Sequence, residues 1–334
     1  MRIRRRIVAA IAVAAVAVPI LQGMQSGMTS LAPAGRVAHP AIDEMSGIVK
    51  SGRYRDVYWV QNDSGDKPRF FAIDAQGRFI GPPNGQGITV IGAENRDWED
   101  IARDGSTLYL PDVGNNGNER KNLGVYAVRE PDPRTATEVR PFAFYPIAYP
   151  DQTAFPPQGL RPFDCEAVFA LRGKLYFITK HRLNALIPAS SASLYRMDTR
   201  FTDRPNVLTK LDGHANLGGW VTGADVSPDG KTIAVLTQAP EQSVWLFDAR
   251  AKGDRFLSQG KPRRIVFSGA KQCEAVAFAD NRTLLVTNEQ RDIYRLNVAD
   301  AKPVRTAVAT ARATRAVARD RIVRPLRQAL QDAR

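Results

Sequence analysis

The chain has 334 residues, with 47 Lys+Arg against 34 Asp+Glu and a formal net charge of +13. A hydrophobic share of 43% supplies a full core and excludes general disorder. Two cysteines and three histidines exclude a disulfide-dense scaffold and a four-cysteine zinc cluster, and leave little material for a multi-histidine metal site.

The charge is concentrated at the two ends. Residues 1–30 carry +4, residues 299–334 carry +6, and the body between them holds only +3. A near-neutral body argues against nucleic acid as a partner. The chain opens with MRIRRR and then IVAAIAVAAVAVPI, an apolar run of about 14 residues, short of the roughly 20 that cross a bilayer. This is the pattern of a secretory signal peptide, assigned to 1–34 with Ala32-Pro33-Ala34 as a weak cleavage site. An uncleaved N-terminal anchor is the alternative. Both imply a secreted, periplasmic or cell-envelope-associated protein.

Residues 35–298 repeat. A short apolar run with a central aromatic recurs at Phe71, Tyr126, Tyr195, Trp245 and Tyr294. Each copy follows a β-rich run: VYWVQND, LYLPD, KLYFITK, TIAVLTQ and TLLVTNE. An earlier apolar run precedes each of those, at SGIV, EDIA, EAVFA, ADVS and EAVAFA. Hairpin turns such as Asp104-Gly105 and Arg172-Gly173 join the two. ITVIG, FAFYPIAYP, NVLTKL and RRIVF add one further strand to each of the first four intervals. Four strands repeated every roughly 50 residues predict an all-β protein, a β-propeller of five four-stranded blades. The fifth unit lacks a last strand, which Gly35–Ala38 can supply to close the ring. A sixth, degenerate blade in 127–163 is the alternative. Residues 299–334 read as a basic, partly helical tail that Pro325 interrupts. Its composition suits contact with an anionic membrane or cell-wall polymer.

Propeller geometry puts the loops after second strands on the same face as the loops entering inner strands. That face gathers the candidate ligand-binding residues Asp63, Asp112, Lys180, His181, Arg182, Glu289 and Arg291. Ser46, Glu99, Glu166, Ala224 and Glu274 align at the mouths of the inner strands, with Asp97, Asp100 and Asp164 close by in sequence. Glutamates converging on one channel mouth repel unless compensated. Glu99, Glu166, Glu274 and Asp63 are therefore candidate metal ligands, and oxygen-only donors suit calcium or magnesium. Capping of backbone N–H groups between blades is the architectural alternative. Cys165 and Cys273 occupy one repeat position in units that are not neighbours, so buried free thiols are expected. No G-x-S-x-G, H-E-x-x-H or Walker motif occurs.

The order Ser46-Gly47, Asn62-Asp63-Ser64-Gly65-Asp66, Asp97-Trp98-Glu99-Asp100-Ile101, Asp112-Val113-Gly114-Asn115-Asn116, Asp164-Cys165-Glu166-Ala167, Thr222-Gly223-Ala224-Asp225 and Thr287-Asn288-Glu289 resembles exported bacterial β-propellers of the WD40-like or "esterase-like activity of phytase" type. The resemblance spans residues 40–298. The related β-propeller phytases hold calcium ions with clustered carboxylates, and the ions bind phosphate. This chain has Asn115 or Asn116 where members of the group often show an aspartate, and the replacement removes a charge and weakens a metal assignment at that loop. Two functions follow as expectations: a ligand- or protein-binding module acting through its loop-rich acidic face, or a calcium-assisted phosphoester or ester hydrolase.

Overall fold

The computed structural model describes residues 28–83, 85–184 and 187–304. The N-terminal charged and apolar run and nearly all of the tail lie outside these residues, as does the helix expected in that tail.

Five antiparallel sheets follow one another in chain order. The inner strands are Met45–Lys50, Ala102–Asp104, Arg161–Leu171, Gly219–Val226 and Cys273–Asp280. The second strands are Tyr58–Asn62, Thr107–Asp112, Lys174–Arg182, Thr232–Pro240 and Thr283–Asn288. Third strands carry the repeat aromatics. Ile88–Val90, Ala143–Ala148, Thr209–His214 and Arg263–Ser268 form the fourth strands of the first four blades. Gly35–Arg36 pairs antiparallel with Asp292–Ile293 and completes the fifth. Arg36 adds an ion pair to Asp292 at 2.5 Å. The ring therefore closes as the sequence predicts.

The interval 127–163 holds no sixth blade. Glu138–Val139 adds to the edge of the first blade, parallel to Thr89–Val90, and Ala143–Ala148 belongs to the second. Two further segments sit on the outer strand of the fourth blade: Thr29–Ser30 in parallel and Lys302–Pro303 antiparallel. These lie beyond the 35–298 span that the repeats delimit.

The core is divided into five apolar clusters, one at each seam between neighbouring blades. Ile48, Tyr58 and Val60 meet Ala275, Ala277 and Leu285 at the seam of the last and first blades. Trp59 and Phe70 meet Trp98, Ile101 and Leu110 at the next. The other three seams repeat the plan. Each blade buries both faces, so its strands run apolar instead of alternating. Cys165 and Cys273 are buried free thiols.

Register corrects one alignment. Strand pairing skips a residue at Ser46, Glu166, Thr222 and Glu274, which marks β-bulges at the same level of four inner strands. Thr222, not Ala224, is thus the fourth-blade counterpart of Glu166. Ala224 lies two residues further in, where it joins the seam between the third and fourth blades. ADVS resembles EAVF in composition, but only the pairing partner fixes a register.

Candidate functional site

Glu99 is the corresponding residue of the second blade, and the ring at the mouth reads Ser46, Glu99, Glu166, Thr222, Glu274. A bulge re-aims its residue away from the regular pleat. The residues just beyond the second strands supply a second tier, including Asp63 and Glu289, and Lys180 of the third blade joins it. Asp97-x-Glu99 and Asp164-x-Glu166 add an acid two residues before each glutamate, on the same side of an extended chain.

Asp63, Asp97 and Glu99 come together. One carboxylate oxygen from each lies within 4.8 Å of the others. Glu99 Oε2 accepts from Ser46 Oγ at 2.8 Å, and Asp63 Oδ1 accepts from the Ser64 N–H at 2.6 Å. Gly114 closes over this group: a Cβ there would stand 2.5 Å from Asp97 Oδ2 and 2.8 Å from Glu99 Oε1. Asp97 is the member that the repeat alignment did not single out, although its two-residue spacing to Glu99 carries the signal.

Glu166 and Glu274 stand apart from that trio. Lys180 pairs with Glu166 and lies 3.9 Å from Asp164. Arg182 Nε donates to Asp164 Oδ2 at 2.6 Å, and the Asn115 N–H donates to Oδ1 at 2.7 Å. Glu274 is half-buried and faces the charges of Lys180, Glu289 and Asp63. Glu289 accepts from the Gln272 amide. Asp112 is held by Arg120 at 2.8 Å and by the Asp97 N–H at 3.0 Å. Its role is to fix the loop that carries Gly114. His181 is buried away from the acids, with Nδ1 2.9 Å from Ser191 Oγ and Nε2 2.9 Å from Ser193 Oγ. Arg291 occupies a left-handed turn at φ 71°, and its carbonyl accepts from Val37 of the closing segment.

Electrostatics set this mouth apart. Burial raises Glu99 well above the usual carboxylate range, and the charges of Glu166, Asp63 and Asp97 push it further. Burial also raises Glu166, against the opposing pull of Lys180. Burial moves Glu274 to about 7 and Asp97 to about 6, with Lys180 opposing the first shift and Asp63 adding to the second. Burial lowers His181 to about 4, which leaves it neutral and a weak base at pH 7. A cluster of carboxyls raised by burial and by one another is a physical mark of a candidate site.

Beneath the mouth, Asp100 plugs the axis. It stands in the ring position of Gly47, Ala167, Gly223 and Ala275, in a left-handed conformation at φ 53°. Its Oδ1 accepts from the Ile101 N–H at 2.8 Å. Its Oδ2 accepts from Val168 of the third blade at 3.0 Å and from Ala224 of the fourth at 3.1 Å. Asp100, and not a mouth glutamate, thus caps backbone N–H groups of the third and fourth blades.

No protein-family model matches the chain, and no curated protein matches it. Among solved structures it is similar to a protein from Lactobacillus plantarum, at 12% identity over 78% of this chain and 69% of that one, with a TM-score of 0.39.

Proposed function

We propose that the protein is an exported ligand-binding β-propeller whose acidic mouth captures a cation, with Asp63, Asp97 and Glu99 as the ligating group. The convergence of these three carboxylates within 4.8 Å carries the reading. Carboxylates packed so closely call for a counter-charge, and Lys180 is committed to the Glu166 side. Hard oxygen donors that leave positions open for water or ligand fit calcium. Glu274 and Glu289 then act as outer acids that draw a cation in, and Glu166 is held by Lys180. Asp112, Lys180 and Arg182 hold the loops around it.

Export rests on the charged and apolar pattern of residues 1–34, and the kinship with phytase-like propellers rests on the acidic motif order. Membrane or cell-wall contact through the basic tail belongs to the same proposal.

The test is the melting of the full chain in calcium and in EDTA. A ligand at 100 times its Kd adds about 2.7 kcal/mol, which moves the midpoint of a domain of this size by roughly 5 °C. Equal midpoints, or an equal gain in Glu99→Gln, would overturn the cation reading. A second reading, hydrolysis of a phosphoester or ester, is favoured by the same trio, because a bound calcium would polarise the ester oxygen. It requires turnover on a phosphoester and ester panel that calcium supports and Asp97→Asn abolishes.

A further inference from the structure

At the opposite end of the axis lies a cavity of about 210 Å³ to which all five blades contribute, through Lys50, Arg103, Ala170, Asp225 and Phe278 among others. Exposed Gly105 and Arg172 form part of its rim, so it opens on the hairpin face. The Asp100 plug separates it from the acidic mouth.

Two cations face this cavity without a bonded counter-charge. Lys50 Nζ donates to the carbonyl of Ala279. Arg103 Nε donates to the Lys50 carbonyl at 2.8 Å, and Nη1 to Gly105 O at 2.9 Å. Among the described residues neither forms an ion pair. Carbonyl oxygens satisfy their N–H donors but do not neutralise their charge, which is costly to hold in a half-buried cleft. Arg103 Nη2 and the remaining Lys50 protons are left to a ligand. Arg172, the third basic residue of the rim, is committed to Asp254 and the Ala249 carbonyl.

We propose that this cavity binds a compact oxyanion between Lys50 and Arg103, as a free phosphate- or sulfate-sized ion or as the terminal group of a larger molecule. The forked guanidinium suits a tetrahedral or carboxylate oxygen pair. Asp225 sets the pH range. It acts electrostatically on Tyr58 of the first blade and on Asp100 and Arg103 of the second, and Lys50, Asp104 and Arg172 line the same cavity. Asp225 Oδ2 accepts from the Phe278 N–H at 2.7 Å. Burial raises it to about 7, with Arg103 opposing. Below that pH it is neutral and no longer repels an anion.

Sulfate is the first probe, because it stays a dianion from pH 6 to 8. Titration calorimetry and melting of the full chain are compared with chloride at equal ionic strength. The expected result is saturable sulfate binding, several-fold tighter at pH 6 than at pH 8. Arg103→Gln weakens it at least tenfold, and Asp225→Asn tightens it and flattens the pH dependence. Ala170→Leu fills the cavity without touching either cation and gives the same loss if Arg103→Gln does not fold. Glu99→Gln, at the other end of the axis, leaves binding unchanged. Competition by glycerol phosphate against inorganic phosphate separates a terminal group from a free ion. Absence of saturable binding, or native affinity retained in Arg103→Gln or in Ala170→Leu, overturns the proposal.

Discussion

Asp100 accepts three backbone N–H groups from three blades with one carboxylate. Asp100→Ala strands these donors at the axis, and each buried unpaired donor costs about 1–3 kcal/mol. A loss of about 3 kcal/mol or more is expected, read as a lowered urea midpoint. The mouth carboxylates act in the other direction. Glu99, Glu166, Glu274 and Asp97 all have folded pKa values above the ordinary carboxylate range. The folded state therefore binds more protons than the unfolded chain, and stability falls as pH rises from about 4.5 through 7. His181, lowered to about 4, opposes this below its unfolded value of about 6.5. In EDTA the melting midpoint should drop between pH 6.5 and 8, and the drop should shrink in Glu274→Gln. A midpoint flat across that window would contradict the raised carboxyls.

The closing strand is the element on which the ring depends. Gly35–Arg36 supplies the outer strand of the fifth blade, and the Ala34 N–H donates to Ile293 O at 2.7 Å. Gly35 is pressed against the first blade: a Cβ would stand 2.7 Å from the Gln76 carbonyl. Thr29–Ser30 adds two residues to the fourth blade. Removal of residues through Ala34 should therefore cost less than removal through Ala38, which opens the ring. Melting of the two truncated chains measures the difference, and equal midpoints would mean that the strand does not hold the closure. Gly35→Val should act like the longer truncation.

Over the whole molecule, five blades share five seams, and each seam buries aromatic and aliphatic side chains from two neighbours. Loss of one blade exposes two seams, so unfolding should be cooperative. Cys165 and Cys273 report on it. Both are completely buried, at 0% exposure, and burial raises both thiols, Cys273 to about 12. A thiol reagent should label neither in the native state at pH 8. Both should react together, at a rate set by opening. Rapid labelling of one alone would show a local opening at its seam.

The sequence by itself reads as five blades with six as the alternative, and offers residues 35–38 as the closing strand and one loop-rich face as the candidate site. The pairing of residues 127–163 with the first two blades decides for five. Repeat spacing counts blades, and a unit that lacks its last strand must borrow one. Loops after second strands must share a face with loops entering inner strands. Composition could not place Thr222, because only a paired strand shows where a bulge falls. Tertiary structure alone decided which acids meet. Glu99, Glu166 and Glu274 look alike in the repeat, yet Glu99 joins Asp63 and Asp97 while Glu166 takes Lys180. Their neighbours come from different blades, so no local spacing encodes the contact. The same holds for Asp100, read beside Glu99 as one more acid of the mouth. Its carboxylate reaches N–H groups 68 and 124 residues away in the chain, a distance that only the closed ring removes.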